Sequence, residues 1–212
     1  MKHYLYSVLV LVVTYSTVTM SALAGKEAAN QRFQRAVANL DYAGVEKALQ
    51  DRANVNYHVE QNMPPLVWLA SRKDNSPEAL KLAELLIANR VNINDQEGDP
   101  AAGYSALHYV IENQNYPFTD HLIKAGADIN IMTADMLSPL EVALRTPNVK
   151  LLKLVLAANP AADPANPHHL PTDRFIFQAM TKLGSNGFGF DGRENLEAMR
   201  NYLQKQYTKS IA

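Results

Sequence analysis

Gly103-Tyr104-Ser105-Ala106-Leu107-His108-Tyr109-Val110-Ile111 opens the stretch whose reading decides the fold, and Gly126-Ala127-Asp128-Ile129-Asn130 closes it. The first part reads as the opening of a helix. A polar break at residues 112–115 separates it from a second segment, residues 118–125. The pattern recurs. A step of 33 from Leu107 lands on Leu140, inside Ser138-Pro139-Leu140-Glu141-Val142-Ala143, another helix opening. Leu66 lies in Pro64-Pro65-Leu66-Val67-Trp68-Leu69-Ala70, and a step of 33 back from it reaches Phe33 in a degenerate version, Arg32-Phe33-Gln34-Arg35-Ala36-Val37.

The closing loops repeat as well. Val55, Ile93 and Ile129 sit in Asn54-Val55-Asn56, Asn92-Ile93-Asn94 and Asp128-Ile129-Asn130. Their spacings are 93 − 55 = 38 and 129 − 93 = 36. Against a period of about 33 residues, roughly five are inserted within the second repeat and roughly three just after it. The insertions fall in breaks rich in Asp, Asn, Ser and Pro. Two independent anchors recurring together are far more specific than one Leu-x-x-Leu match.

These motifs resemble the ankyrin repeat. The family's Gly-x-Thr-Pro-Leu-His-x-Ala run matches residues 103–110, and its Leu-Leu-x-x-Gly-Ala-Asp-x-Asn end matches residues 122–130. The resemblance implies an all-α solenoid of about four helix-pair repeats over residues 25–160. Residues 161–212 are expected to form a C-terminal helical cap, since an array must cover its last apolar face. Departures are visible. Repeat one lacks Thr-Pro. Arg52 and Arg90 stand where the family has Gly, and Asn159 holds that place in repeat four. That Gly relieves a left-handed helix end, so Arg there implies strain or a different local turn.

In chain order, residues 30–39 and 43–51 form the first expected pair, with Phe33, Val37 and Leu40 on one face and Val45, Ala48 and Leu49 on another. Pro64-Pro65 starts the next first helix. Residues 78–89 form its second helix, with Leu82, Leu85 and Leu86 inward. Residues 95–102 make a long finger containing Gly and Pro. Residues 149–158 are nearly all apolar, so that helix needs cover on several faces. A linker with four prolines, residues 159–171, leads to two expected helices, 172–183 and 193–207, joined by a loop bearing Phe188 and Phe190.

The 212-residue chain is 47% hydrophobic and 19% charged, an ordinary globular composition. A net charge of −1 does not suggest nucleic acid as the main partner. Lys2 and His3 precede an apolar run, residues 4–13, followed by Ser21-Ala22-Leu23-Ala24-Gly25. This is the form of a secretory signal peptide, residues 1–24, with cleavage after Ala24 and a periplasmic or secreted mature chain. An uncleaved anchor fits less well, because Thr14, Ser16 and Thr17 break the apolar run. There is no Cys, so disulfides, thiol catalysis and lipid attachment through Cys are excluded.

Candidate chemistry is sparse. His108 is the family's motif His, which by the resemblance braces the hairpin through local hydrogen bonds. His168-His169 with Asp163 or Asp173 would be a metal or catalytic candidate in the C-terminal pair, but no Cys completes a structural zinc set. Residues 184–192 lack the Lys-Ser/Thr of a phosphate loop. No Gly-x-Ser-x-Gly or His-Glu-x-x-His occurs. The expectation is therefore a chain that is not an enzyme, with no cofactor and no metal, that binds another protein. The partner is expected to be exported itself, a toxin or an exported enzyme among the options. By the resemblance, the binding positions are Tyr57, His58, Gln96, Glu97, Asp99, Tyr104, Glu112, Asn113, Met132 and Asp135, with Glu60, Gln61, Thr133, Ser71, Arg72 and Arg145 nearby. Trp68 and Tyr109 are read as packing between repeats.

Overall fold

A computed structural model describes residues 22–73, 75–98, 103–146, 148–158, 201–202 and 204–205. In chain order these form α1 (residues 22–38), α2 (Tyr42–Gln50), α3 (Pro65–Ser71), α4 (Pro77–Ala88), α5 (Ala106–Glu112), α6 (Tyr116–Lys124), α7 (Pro139–Arg145) and α8 (Val149–Ala157). The α3, α5 and α7 helices pack side by side as an inner layer. Each carries its following helix on its outer side, and α2 with α4 and α6 with α8 also touch.

Local chemistry explains each start. The outer helices are capped by Asp41, Ser76, Asn115 and Asn148, whose side chains accept from Gly44, Ala79, Phe118 and Leu151 N–H groups. Such caps satisfy N–H groups that the helix cannot. Pro65 and Pro139 occupy first-turn positions of the inner helices, where a missing N–H costs nothing. Ser138 and Glu141 close a capping box in α7.

The helix ends answer the question posed by the arginines. Arg52 (φ 65°), Arg90 (φ 63°) and Gly126 (φ 92°) all take the left-handed conformation. Each is followed by the same pair of bonds, such as Val91 N–H to Leu86 C=O (3.1 Å) and Arg90 N–H to Ile87 C=O (3.0 Å). This is a Schellman end. The turn is thus unchanged, and the arginines carry strain of about 1–2 kcal/mol each.

The first Asn-rich loop is tied back to α1, and the later loops are stitched to one another. Asn30 Oδ1 accepts from Asn54 N–H (2.8 Å), Asn56 Oδ1 from Asn92 N–H (2.7 Å), and Asn94 Oδ1 from Asp128 N–H (2.8 Å). Within each loop the first side chain accepts from the third residue's N–H, as Asp128 does from Asn130 (2.8 Å). One side chain shapes its own loop and the other holds the next repeat at a fixed distance.

Phe33, Val37, Val45, Leu66, Leu69, Leu82, Leu86, Leu107, Ile111, Phe118, Leu122, Leu152 and Val155 form one continuous buried core. Three expected core positions differ, and one of them, Leu49, is half-buried at the edge of the face that Val45 and Ala48 bury. Leu40 lies past the end of α1 with φ 55° and is only half-buried, so Ala36 completes the face of Phe33 and Val37. Leu85 is half-exposed, and Ala79 and Ala83 join Leu82 and Leu86 inside. The first helix also begins well before residue 30, reaching back to residue 22. Asn159, the proline-rich linker, His168, His169, Asp163, Asp173, Phe188 and Phe190 lie outside the described residues. From the C-terminal stretch, Tyr202 packs against the core cluster and holds Lys153 Nζ 4.9 Å from its ring centre. No helix among the described residues is long and apolar enough to cross a membrane.

Candidate binding face

Fingers project from the inner layer between successive repeats. Two of them close over three residues, with Val59 N–H bonded to Met63 C=O (2.8 Å) and Thr133 N–H to Leu137 C=O (3.0 Å). The third is longer. Gln96 and Ser105 form an antiparallel bridge, and Glu97 N–H donates to Tyr104 C=O (3.0 Å). Gly103, at φ 60°, turns the chain out of this finger. A Cβ there would lie 3.3 Å from the backbone nitrogen of Ala134 in the next finger, so glycine suits the close approach as well as the turn.

His108 braces this region. It is fully buried, and its Nδ1 accepts from Ser105 N–H (3.2 Å) and Ser105 Oγ–H (2.8 Å). Since Nδ1 accepts, the proton sits on Nε2, which donates to Leu137 C=O (3.0 Å) in the next finger. Burial holds the imidazole pKa below its ordinary value, partly offset by the bond to Leu137. His108 is structural: its bonds to Ser105 are the local brace that the resemblance implied, and its bond to Leu137 also ties the finger to the next one.

Over it lies an aromatic cluster. The Tyr104 ring stacks on His108 (5.4 Å, 27°) and meets Tyr109 nearly edge-on (5.1 Å, 64°). Glu97 joins them, accepting from Tyr109 Oη–H through Oε2 (2.7 Å) and from Tyr104 N–H through Oε1 (3.3 Å). Both phenols are held above their ordinary pKa, first by burial. For Tyr104 the charges of Glu112, Asp135 and Glu97 push the same way against Arg145. For Tyr109 the hydrogen bond and charge of Glu97, and then Glu112, add to burial. The tyrosines are therefore neutral, and carboxylates surround them.

The other expected binding residues divide by what their side chains touch. Gln96 is not a free surface amide: its Nε2 donates to Gly103 C=O and to Met132 C=O (2.8 Å), tying two fingers together. Asn113 is likewise occupied, its Nδ2 donating to Ala70 C=O (3.0 Å) at the end of α3. Tyr57 donates to Glu27 (3.0 Å), which raises its pKa, and His58 pairs with Asn62 (3.1 Å). Met132 is half-buried, while Glu112 and Asp135 are exposed. Asp99 lies outside the described residues. Trp68 and Tyr109 are half-buried at equivalent places, and Arg72 lies over the Trp68 ring at 5.0 Å. Expected mainly as packing and partly exposed at most, these two rings are half-buried and also present a face beside Glu97 and Arg72. The repeat-to-repeat equivalence was the signal for that.

The geometry of stacked helix pairs, left-handed helix ends and projecting fingers defines a class. A model of the ankyrin repeat family matches residues 102–131, the stretch holding α5, α6 and the end of the long finger. The chain is an ankyrin-repeat protein. It is 28% identical over 88 residues to a protein of Acanthamoeba polyphaga mimivirus named as an ankyrin repeat protein, covering 42% of this chain and 12% of that one. A second, from Fowlpox virus and named in the same way, is 30% identical over 79 residues, 37% of this chain and 11% of that one. The nuclear factor NF-kappa-B p105 subunit of Gallus gallus is 37% identical over 87 residues, 41% of this chain and 8% of that one. The chain thus matches about a tenth of the length of these relatives. Ankyrin repeats are protein-binding modules and are in general non-enzymatic.

Proposed function

We propose that the chain is a non-enzymatic module outside the cytoplasm, periplasmic or secreted, that binds and regulates, protects or neutralises another exported protein. The inner face with its fingers is the binding surface. The observation that carries this reading is the half-buried aromatic set Trp68, Tyr104 and Tyr109, bordered by Glu97, Glu112 and Arg72. Large rings on a rigid layer bury area at little entropic cost and are typical interface anchors. The test begins with capture of partners from a periplasmic fraction, followed by purification of the one that binds. Tyr104→Ala and Trp68→Ala should each weaken that complex by at least about tenfold, a hot-spot effect, with the helical fold retained by circular dichroism. If both variants fold and bind as tightly as wild type, the interface lies elsewhere.

The location rests on the basic start, the apolar run and Ala22-Leu23-Ala24. Among the described residues, 22–28 are exposed and the buried core begins at Ala29, so the bond after Ala24 lies in an exposed stretch. Removing Lys2 takes the net charge to −1 − 1 = −2. The intact mass of exported protein should correspond to a chain starting at Gly25. A mass that retains residues 1–24 would refute the cleavage.

A further inference from the structure

Repeats two and three place an aromatic ring at the same point of the inner layer, since Trp68 and Tyr109 differ by 109 − 68 = 41, as do Leu66 and Leu107. In repeat two the ring has its own cation: Arg72, one helical turn on, lies with Cζ 5.0 Å from the Trp68 centroid. Tyr116 and Tyr202 are similarly covered by Lys150 and Lys153, each at 4.9 Å. The same step takes Arg72 to position 113 (72 + 41), which is Asn113. Its amide is bonded to the carbonyl of Ala70 and cannot take that part.

Repeat three therefore has the ring with no cation stacked on it, although the charge of Arg145 at the end of α7 reaches Tyr104, and it has a second ring besides. Tyr104 and Tyr109 meet at 64° with centroids 5.1 Å apart, forming a corner. Glu97 lies against the corner, hydrogen-bonded to both residues. Among the described residues, neither Glu97 nor Glu112 forms an ion pair, and no Lys or Arg stacks on Tyr104 or Tyr109. Negative ring faces beside a carboxylate attract a cation more strongly than either group alone.

We infer that the Tyr104–Tyr109 corner, with Glu97 and Glu112 beside it, receives an arginine side chain from the partner protein. The partner thereby supplies in repeat three the cation that Arg72 supplies in repeat two. Arginine fits better than a compact ammonium because its planar guanidinium can stack on a ring while its fork of N–H groups reaches a carboxylate. This rests on the inner-face reading above and gives it a chemistry: charge complementarity to a basic segment.

The test needs no identified partner. The intact protein is titrated with the blocked pentapeptide Gly-Ser-Arg-Ser-Gly and with its citrulline counterpart, which keeps the shape and loses the charge. Tyrosine ring resonances are followed by NMR. The arginine peptide should shift Tyr104 and Tyr109 saturably. The citrulline peptide should bind at least about fivefold more weakly, the scale of a partly desolvated cation–π contact. Glu97→Gln keeps an acceptor for the Tyr109 hydroxyl and removes the charge, and it should weaken the arginine peptide while leaving the unfolding midpoint nearly unchanged. Equal shifts with both peptides, no shift, or shifts undiminished in Glu97→Gln would overturn the assignment. Failure of the two readings is distinguishable. A purified partner that is weakened by Trp68→Ala and indifferent to Glu97→Gln overturns the arginine site and leaves the inner face standing. A partner indifferent to Trp68→Ala and Tyr104→Ala overturns the inner face itself.

Discussion

Replacing Leu107 by Ala is expected to cost about 2–5 kcal/mol of stability, the range for a buried leucine whose site cannot close. Leu107 is 1% exposed at the centre of the described array. Its helix, α5, is packed by α3 on one side, α7 on the other and α6 behind. Collapse into the cavity would require moving a helix that is itself held by a neighbour. In a stacked array, stability is a sum of repeat and interface contributions, so damage to a middle repeat weakens two interfaces at once. Urea unfolding followed by circular dichroism measures the loss. Glu112→Ala, on the exposed side of the same helix, is the control and should stay within about 0.5 kcal/mol. A loss of that small size for Leu107→Ala would mean that the repeat register is wrong.

The register was legible because two unrelated signals recur together, an apolar helix opening and an Asn-rich loop. What the loop does was less legible. Val55, Ile93 and Ile129 mark its period, but the flanking asparagines make the bonds between repeats. Their role depends on loops lying edge to edge, which spacing alone does not state. Leu40 was misplaced because helical periodicity was continued past the point where the chain turns left-handed, and leucine gives no local warning of that turn. Among binding candidates, Tyr104 and Glu97 were chosen as finger residues and come together in the structure. Gln96 was chosen on the same grounds and Asn113 as a surface position of the first helix, and both are occupied by carbonyls of adjacent repeats. A polar side chain's availability is set by unpaired backbone groups next to it, and those are invisible until the repeats are stacked.

His108→Leu is expected to lose about 2–4 kcal/mol near neutral pH, although leucine keeps much of the ring's bulk. The substitution leaves the Ser105 N–H and hydroxyl proton without an acceptor in a buried place, at about 1–3 kcal/mol each, while the Leu137 carbonyl loses one donor and keeps Thr133 N–H. The wild-type protein should also be acid-sensitive through this ring. Its folded pKa is lowered from 6.5, chiefly by burial. Below pH 6.5 the unfolded chain therefore binds a proton that the fold refuses. The unfolded state then holds more protons than the native state, so stability rises with pH in this window. The contribution is fully present above pH 6.5, falls as pH drops toward the folded pKa, and levels off below it. Protonation would also end the acceptance at Nδ1 of two donors from Ser105, loosening the start of α5 from the ring while the Nε2–H bond to Leu137 stays in place. Thermal unfolding of both proteins between pH 7.5 and pH 5 separates this ring from the other histidines, which the variant retains. The wild type should lose more stability than the variant across that range. Parallel curves would show that His108 titrates alike in both states and that its burial carries no pH dependence.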